Sequence, residues 1–366
     1  MDRHDLPEIT AKDVAEAHKQ DMEIQDQFDC RALTYWFDEV RGAAFCLVEA
    51  PNKQSVIDLH NHSHGMVPGN IIEVDSKVVE AFLGRIKDPE HFDEVSDGFS
   101  DPAFRTIMVT ELQDAVILKH KLGSKDFYNL LRKSKKLLEE SAQQFAGKLV
   151  SNNENDWITS FASTSKAVSC ALEINRRISY LEPSSTPKEE LYWTIGLSAG
   201  DPVTKQEDFF GETIQLAKRL CLTARNGQIV VSSLVNNLFK KEKLEELSSH
   251  KNIKSLQPDD ERFLNNLMDT MEEVWNKKDL TNADLTRKLG LSESQFYRKL
   301  SSLTGKTPTE FIKEIRLARA VKLIENKEGN ISQIAFETGF NNPSYFSKCF
   351  SNRFGILPST YSNVVN

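Results

Sequence analysis

The chain has little of what would place it in a membrane or outside a cell. Its apolar runs are short, Ala43–Val48 and Ile229–Val231 among them, where a bilayer crossing needs about 20 residues, so no membrane partner is expected. Met1-Asp2-Arg3-His4-Asp5 opens charged, without the apolar stretch of a signal peptide, and the cytoplasm is the expected compartment. Cysteine is scarce: Cys30, Cys46, Cys170, Cys221 and Cys349 are odd in number and follow no motif spacing, so they read as reduced, mostly buried thiols. An excess of basic charge is missing too. With 46 Lys+Arg against 54 Asp+Glu the net charge is −8, which taken alone argues against a nucleic-acid partner.

What is present changes that reading. A hydrophobic share of 39% and a charged share of 27% suit a folded protein, and 366 residues exceed what one core usually supports. The charge is unevenly placed. Residues 281–366 hold 12 Lys+Arg and 7 Asp+Glu, leaving 34 and 47 for the remainder, an acidic body with a basic tail. Punctuation divides the chain into 1–75, a connector at 76–102, a strand-and-helix segment at 103–250, a connector at 251–262, and a segment from 263 to 366 that is helical throughout. The expected architecture is multidomain: two α+β domains followed by an all-α domain.

The last segment contains an internal repeat. Asp284-Leu285…Leu289-Gly290-Leu291-Ser292…Phe296-Tyr297-Arg298…Leu300…Gly305 recurs as Gln333-Ile334…Thr338-Gly339-Phe340-Asn341…Phe346-Ser347-Lys348…Phe350…Gly355. In each copy a short helix ends at a glycine able to take positive φ, an apolar residue plugs the turn, and a polar residue starts the next helix. That is helix-turn-helix chemistry, twice. Phe296/Leu300 and Phe346/Phe350, four apart, must face the core. The outer face is left to Ser294, Gln295, Arg298 and Lys299 in one copy, and to Asn342, Ser344, Tyr345 and Lys348 in the other, types able to reach bases and phosphates in a major groove. A joining helix from about Pro308 to Asn326 would be about 30 Å long, near the repeat of duplex DNA, so one chain could enter two successive grooves. Across about 263–362 the pattern resembles the AraC/XylS DNA-binding domains, carried by Leu291-Ser-Glu-Ser-Gln-Phe-Tyr-Arg-Lys-Leu300, Ile334-Ala-Phe-Glu-Thr-Gly-Phe340 and Tyr345-Phe-Ser-Lys-Cys-Phe350. The implied partner is double-stranded DNA.

From about Arg105 to Ser233 the chain resembles the class III adenylate/guanylate cyclase homology domain, on Ile107-Met-Val-Thr-Glu-Leu112, Trp157-Ile-Thr-Ser-Phe-Ala-Ser163, Ile195-Gly-Leu-Ser-Ala-Gly-Asp201 and Gln215-Leu-Ala-Lys-Arg219-Leu220. Such domains hold two divalent cations on two aspartates. The first of these positions falls on Glu111, one methylene longer, and the second on Asn155, a neutral amide. The base-reading lysine position falls near Leu149 or Ser151. Gln215 stands at the transition-state asparagine, and only Arg219 is kept. The resemblance therefore implies a domain that kept its shape and lost its reaction, serving homodimerisation and, as a further option, nucleotide binding.

Five of eight histidines lie in the first 64 residues: His4, His18, His60, His62 and His64. His60 and His64, four apart on an expected helix, could share an ion; imidazole suits nickel, zinc or copper, and the bland alternative is a set of exposed residues at a helix end. Thr10-Ala-Lys-Asp-Val-Ala-Glu-Ala-His18, Leu33-Thr-Tyr-Trp-Phe-Asp-Glu39 and His64-Gly-Met-Val-Pro-Gly-Asn70 resemble a small ferredoxin-like family that includes a nickel-binding member. The resemblance implies a strand before the first helix, for which only Met1–Pro7 remain, and His4, His18, His60 and His64 as ligands for nickel or another divalent transition metal, with His62 pointing off that face.

The combined expectation is a sequence-specific transcription regulator, controlled by a metal or small ligand on its N-terminal modules. Its rivals are a nucleotide cyclase with an attached DNA-binding domain, and a DNA-binding scaffold with inert N-terminal modules.

Overall fold

The computed structural model describes residues 1–89, 100–152, 156–178, 193–205, 207–225, 227–243, 247 and 250–365. Asn155 lies outside them. Two antiparallel-based sheets and a helical module follow one another along the chain, as the residue pattern predicts.

The N-terminal sheet is built from β1 (Asp2–Asp5), β2 (Arg31–Asp38), β3 (Ala43–Glu49) and β4 (Asn70–Ile71) in the order β2-β3-β1-β4. Helices α1 (Ala11–Ile24) and α2 (Lys53–Ser63) provide the crossovers. This is the ferredoxin-like βαββαβ arrangement, and β1 supplies the strand for which Met1–Pro7 alone were available. Thr10 and Asp13 close a reciprocal capping box at the start of α1, satisfying two of its free N–H groups. Alternation along β2 sends Tyr35 and Phe37 toward α1 with Val14 and Ala15, and Trp36 to the opposite face.

The second sheet repeats that order with β5 (Arg105–Leu112), β6 (Lys148–Asn152), β7 (Asp156–Phe161) and β8 (Trp193–Gly200), arranged β6-β7-β5-β8. It then extends through β9 (Ile229–Val231) and β10 (Ile253–Ser255), each parallel to its neighbour. Helices α4 (Ala115–Gln144) and α5 (Thr164–Ile178) pack with α7 (Ser233–Lys243) over a core of Phe127, Leu130, Phe161, Val168, Ile174, Leu197 and Phe239. Helix α4 is broken at Gly123, whose φ of 74° and ψ of 160° separate a first short piece from the remainder.

Two stretches expected as connectors carry structure. Within 76–102, α3 (Ser76–Leu83) ends at Gly84 in the left-handed conformation. Its Val79, Phe82 and Leu83 join Trp36, Phe45, Leu47 and Ile72 of the first sheet and Ile107, Val109 and Ile158 of the second in one core. Within 251–262, β10 completes the second sheet, and Pro258 opens α8 (Pro258–Val274) with three acids in its first turn. That acidic, proline-led stretch is a helix start, where carboxylates meet the positive end of the dipole; charge alone made it look like a loop.

The helical module comprises α8, α9 (Asn282–Leu289), α10 (Glu293–Thr304), α11 (Pro308–Glu325), α12 (Ile331–Glu337), α13 (Pro343–Phe354) and α14 (Pro358–Val365). Side-chain caps mark the starts: Thr281 with Asp284, Ser292 with Gln295, Thr307 with Glu310, Asn330 with Gln333. Among the described residues no helix is long and apolar enough to cross a membrane.

Candidate nucleic-acid interface and metal centre

Helices α9–α10 and α12–α13 form the two helix-turn-helix units. Gly290 and Gly339 adopt φ of 64° and 80°, the left-handed turn the repeat requires. Phe296, Leu300, Phe346 and Phe350 are fully buried. Of the eight residues expected on the outer faces, seven are exposed and Lys299 is half-buried, its ammonium 5.5 Å from the Phe263 ring centroid.

Exposure does not leave them all free. Asn342 is the N-cap of α13, its Oδ1 accepting from the N–H groups of Ser344 (2.7 Å) and Tyr345 (3.2 Å). Gln295 Oε1 accepts from the Ser292 N–H at 3.0 Å. Ser294 Oγ lies 3.2 Å from Ser292 Oγ. The carbonyl ends of Asn342 and Gln295 are therefore engaged in starting their helices, and the cap at Asn342 rather than Asn341 accounts for the offset between the two copies being 49 residues at Gly290/Gly339 and 50 at Phe296/Phe346. Arg298 and Lys348 are exposed, with no such tie among the described residues. Exposed Tyr297 joins them (51% exposed, against 57% for Tyr345), and the signal for it was its place beside Arg298 on the outer face.

In the N-terminal module, Asp2 and His4 alternate onto one face of β1, and Cys46 stands directly opposite Asp2 on β3. Helix α2 brings His60 onto the same spot, with Nε2 3.1 Å from Asp2 Oδ2 and Nδ1 3.2 Å from Asp21 Oδ1. Two overlapping ligand groups result, Asp2/His4/Cys46/His60 and Asp21/His60/His64. Burial works against the charge on His60, but Asp2 and Asp21 outweigh it and push its pKa up to about 10. Burial likewise opposes the charge on Asp2, yet hydrogen bonds with His4 and His60 hold it well below the usual carboxylate range. Burial drives the Cys46 thiol well up, with Asp2 adding to the shift.

Of the four expected ligands, His4, His60 and His64 converge and His18 does not. His18 Nε2 lies 3.0 Å from Asp88 Oδ2, and its ring tilts against Tyr35. His62 is exposed, its ring over Phe28 and its Nδ1 2.8 Å from the Asp58 carbonyl oxygen. His64 is also constrained: the Met66 N–H donates to its Nδ1 at 3.1 Å, so a neutral ring carries its proton on Nε2, facing Asp21 at 3.3 Å. A cation on that nitrogen would require the Met66 contact to break. Asp2, Cys46 and Asp21 were missed because single acids and thiols carry no signal until the strand register is known.

The donor set fits a borderline transition metal. His4 is 4% exposed, with Nε2 3.3 Å from Asp2 Oδ1 and no hydrogen-bond partner for Nδ1 among the described residues, a buried ligand beside a carboxylate, a thiol and a second imidazole. The adjoining cavity, lined by His4, His18, Asp21, Cys46 and His64, measures about 20 Å³, room for one small occupant and no organic molecule. A separate cavity of about 680 Å³ is lined by Leu33, Leu47, Val56, Ile72, Val74 and Ile86, with Arg31, Lys53 and Lys87.

In the second sheet module the kept arginine has been taken up elsewhere. Arg219, on α6 (Gly211–Thr223), is 6% exposed; it donates to Asn265 Oδ1 at 2.8 Å and pairs with Asp269, both on α8. Gln215 is exposed on the same helix, and Glu111 is half-buried on β5 opposite Asp156.

Residues 285–363 match the family model described as helix-turn-helix domain. The C-terminal module carries a helix-turn-helix domain. Outside that domain, residues 1–74 match the model described as nickel responsive protein SCO4226-like. Relatives of the helix-turn-helix domain include the HTH-type transcriptional activator RhaS of Mannheimia succiniciproducens, 38% identical over 82 residues, which are 22% of this chain and 31% of that protein. Histidine kinase P4 of Formosa agariphila is 39% identical over 104 residues, 28% of this chain and 8% of the kinase. The chain thus spans under a third of either relative. A solved guanylyl cyclase domain from Blastocladiella emersonii is similar at 17% identity and TM-score 0.34, over 38% of this chain and 84% of that one.

Proposed function

We propose that the chain is a sequence-specific DNA-binding transcription regulator whose grip on DNA is controlled by a metal ion held in its N-terminal module. The observation that carries the reading is the pair of capped helix-turn-helix units whose outer faces stay open to solvent, with Arg298, Tyr297, Tyr345 and Lys348 directed outward. Helix α11, 18 residues and so about 27 Å long at 1.5 Å per residue, joins them, a length of the order of one turn of duplex DNA. Asp2, His4, Cys46 and His60 would hold the ion, nickel or another divalent transition metal; once bound, it supplies a fixed positive charge between β1, β3 and α2.

The sheet module between them serves as a non-catalytic body. Glu111 and Asn155 replace the two metal-holding aspartates of the cyclase resemblance, and Arg219 is committed to α8. Homodimerisation through this module would let a dimer read four grooves. The 680 Å³ cavity lined by Leu47, Val56 and Ile72 leaves room for a small organic effector in place of, or beside, the metal.

The deciding measurement is binding to the chain's own upstream DNA over a series of salt concentrations, with and without Ni²⁺. Salt-dependent retention that Arg298→Ala plus Lys348→Ala weakens supports the reading; retention indifferent to both substitutions rejects it. A cyclase assay with Mn²⁺ and either ATP or GTP tests the enzyme alternative, for which turnover abolished by Glu111→Ala would decide.

A further inference from the structure

Each helix-turn-helix unit is docked on the second sheet module, and at a different point. The first is held through α8: Phe263, Leu264 and Leu267 share a core with Leu220 of α6, Val230 of β9 and Leu256. Arg219 reaches from α6 to Asn265 and Asp269, and Lys254 Nζ of β10 donates to the Leu303 carbonyl at the end of α10. The second unit rests on the first turn of α4. Val116 is buried among Leu317, Ile334, Phe346 and Phe350, and Asp114, just before that turn, accepts from Arg353 of α13 at 2.5 Å while the same guanidinium holds Glu314 of α11 at 2.9 Å.

Helix α11 joins the units, contributing Phe311 and Ile312 to one core and Leu317, Ala320 and Ile324 to the other. A single helix between two small bodies fixes their relative position weakly, because bending and twisting at its ends cost little. Two anchors on a third, rigid body fix it strongly. The docking leaves both reading faces uncovered, since Tyr297, Arg298, Tyr345 and Lys348 remain exposed in the docked arrangement. The contact therefore sets geometry and does not block DNA.

Building on the DNA-binding reading, we infer that the sheet module selects the spacing between the two DNA elements the chain recognises, with Arg219 and Asp114 as positioning residues at its two anchor points. Neither touches DNA; each holds one recognition helix in place relative to the other. The Gly123 break lies directly behind the second anchor.

The test uses the full chain and duplexes recovered by selection from a random library, resynthesised with one, two or three base pairs added or removed between the two protected elements. The wild-type protein should prefer one spacing by tenfold or more over its neighbours. Asp114→Ala and, at the other anchor, Asp269→Ala should flatten that preference to about threefold or less while leaving affinity for a duplex carrying one element unchanged. Both substitutions remove half-exposed or exposed carboxylates and spare the folded cores. A simple loss of folding would lower single-element binding too, which separates it from a positioning role. A spacing profile in both variants identical to wild type overturns the inference alone; a wild-type chain that retains no duplex overturns the DNA-binding reading and this inference with it.

Discussion

Arg219 and Asp269 form an ion pair of unequal burial: the guanidinium side chain is 7% exposed and the carboxylate 61%. The two halves are therefore not equivalent to removal. Asp269→Ala leaves a buried cation with Asn265 as its remaining partner on α8, whereas Arg219→Met leaves a carboxylate that water can solvate. Allowing for the exposed partner, we expect Asp269→Ala to cost about 1–2 kcal/mol and Arg219→Met to stay within about 1 kcal/mol of wild type. Urea midpoints of the two variants check the order.

On the proposed function, the outer faces of α10 and α13 divide into residues left open to read DNA and residues that cap. Substituting Arg298 or Lys348 by Ala should lower the slope of log affinity against log salt by about 1 each, the signature of a lost phosphate contact. If the slope holds and only sequence preference relaxes, the side chain contacts a base edge instead.

Asn342→Ala should act differently. Its Oδ1 caps α13 through two backbone N–H groups, so the loss is about 1 kcal/mol of stability. Asn342→Ser, which keeps a capping oxygen, should restore most of it. Thermal melts of the pair give the answer, and equal melts would show that the cap contributes nothing.

Metal binding at the proposed centre should have a defined pH dependence. Asp2 and Asp21 keep His60 protonated up to about pH 10, and the Cys46 thiol holds its proton above its usual range. An ion that ligates both must displace both protons, so apparent affinity rises with pH. The expected slope between pH 6 and 9 is about a hundredfold per unit when both groups ligate and about tenfold when one of them does. Calorimetry with Ni²⁺ in buffers of differing ionisation heat counts them. His4→Ala and His60→Ala should abolish binding, while His18→Ala should leave it, because His18 faces Asp88.

Two glycines offer opposite kinds of strain. A Cβ on Gly196 of β8 would lie 2.1 Å from the Ala217 carbonyl oxygen, backbone that cannot turn aside; Gly196→Ala should cost about 3 kcal/mol or more and lower soluble yield. A Cβ on Gly290 meets nothing within 4 Å, and only its φ of 64° resists, so Gly290→Ala should cost about 1–2 kcal/mol. Denaturant midpoints distinguish the two.

The helical module was legible because its signals are local: repeat, glycine, N-cap and four-residue spacing all lie within a dozen residues. The sheet order was less so, since β10 is three residues long and is held by pairing with β9 rather than by its own pattern. The same limit applied to the metal centre. His60 and His64 were visible as a helical pair, but Cys46 joins His4 only through the register of β1 on β3. His18 shares α1 with Asp21, yet faces the connector. Capping, too, was hidden at Gln295 and Asn342, where a side chain suited to reading DNA is equally suited to starting a helix.

The core that Trp36, Phe45 and Ile72 share with Ile107, Val109 and Ile158 has a consequence for how the chain unfolds. Severing it near residue 75 would not release a self-sufficient piece; it would bare Trp36 and Phe45 on one fragment and Phe82, Phe210 and the aliphatic residues beside them on the other. The border between the first two modules is thus a border of ancestry and not of thermodynamics, and both sheets should melt in a single heat-absorption peak that Ni²⁺, bound to only one of them, moves as a whole.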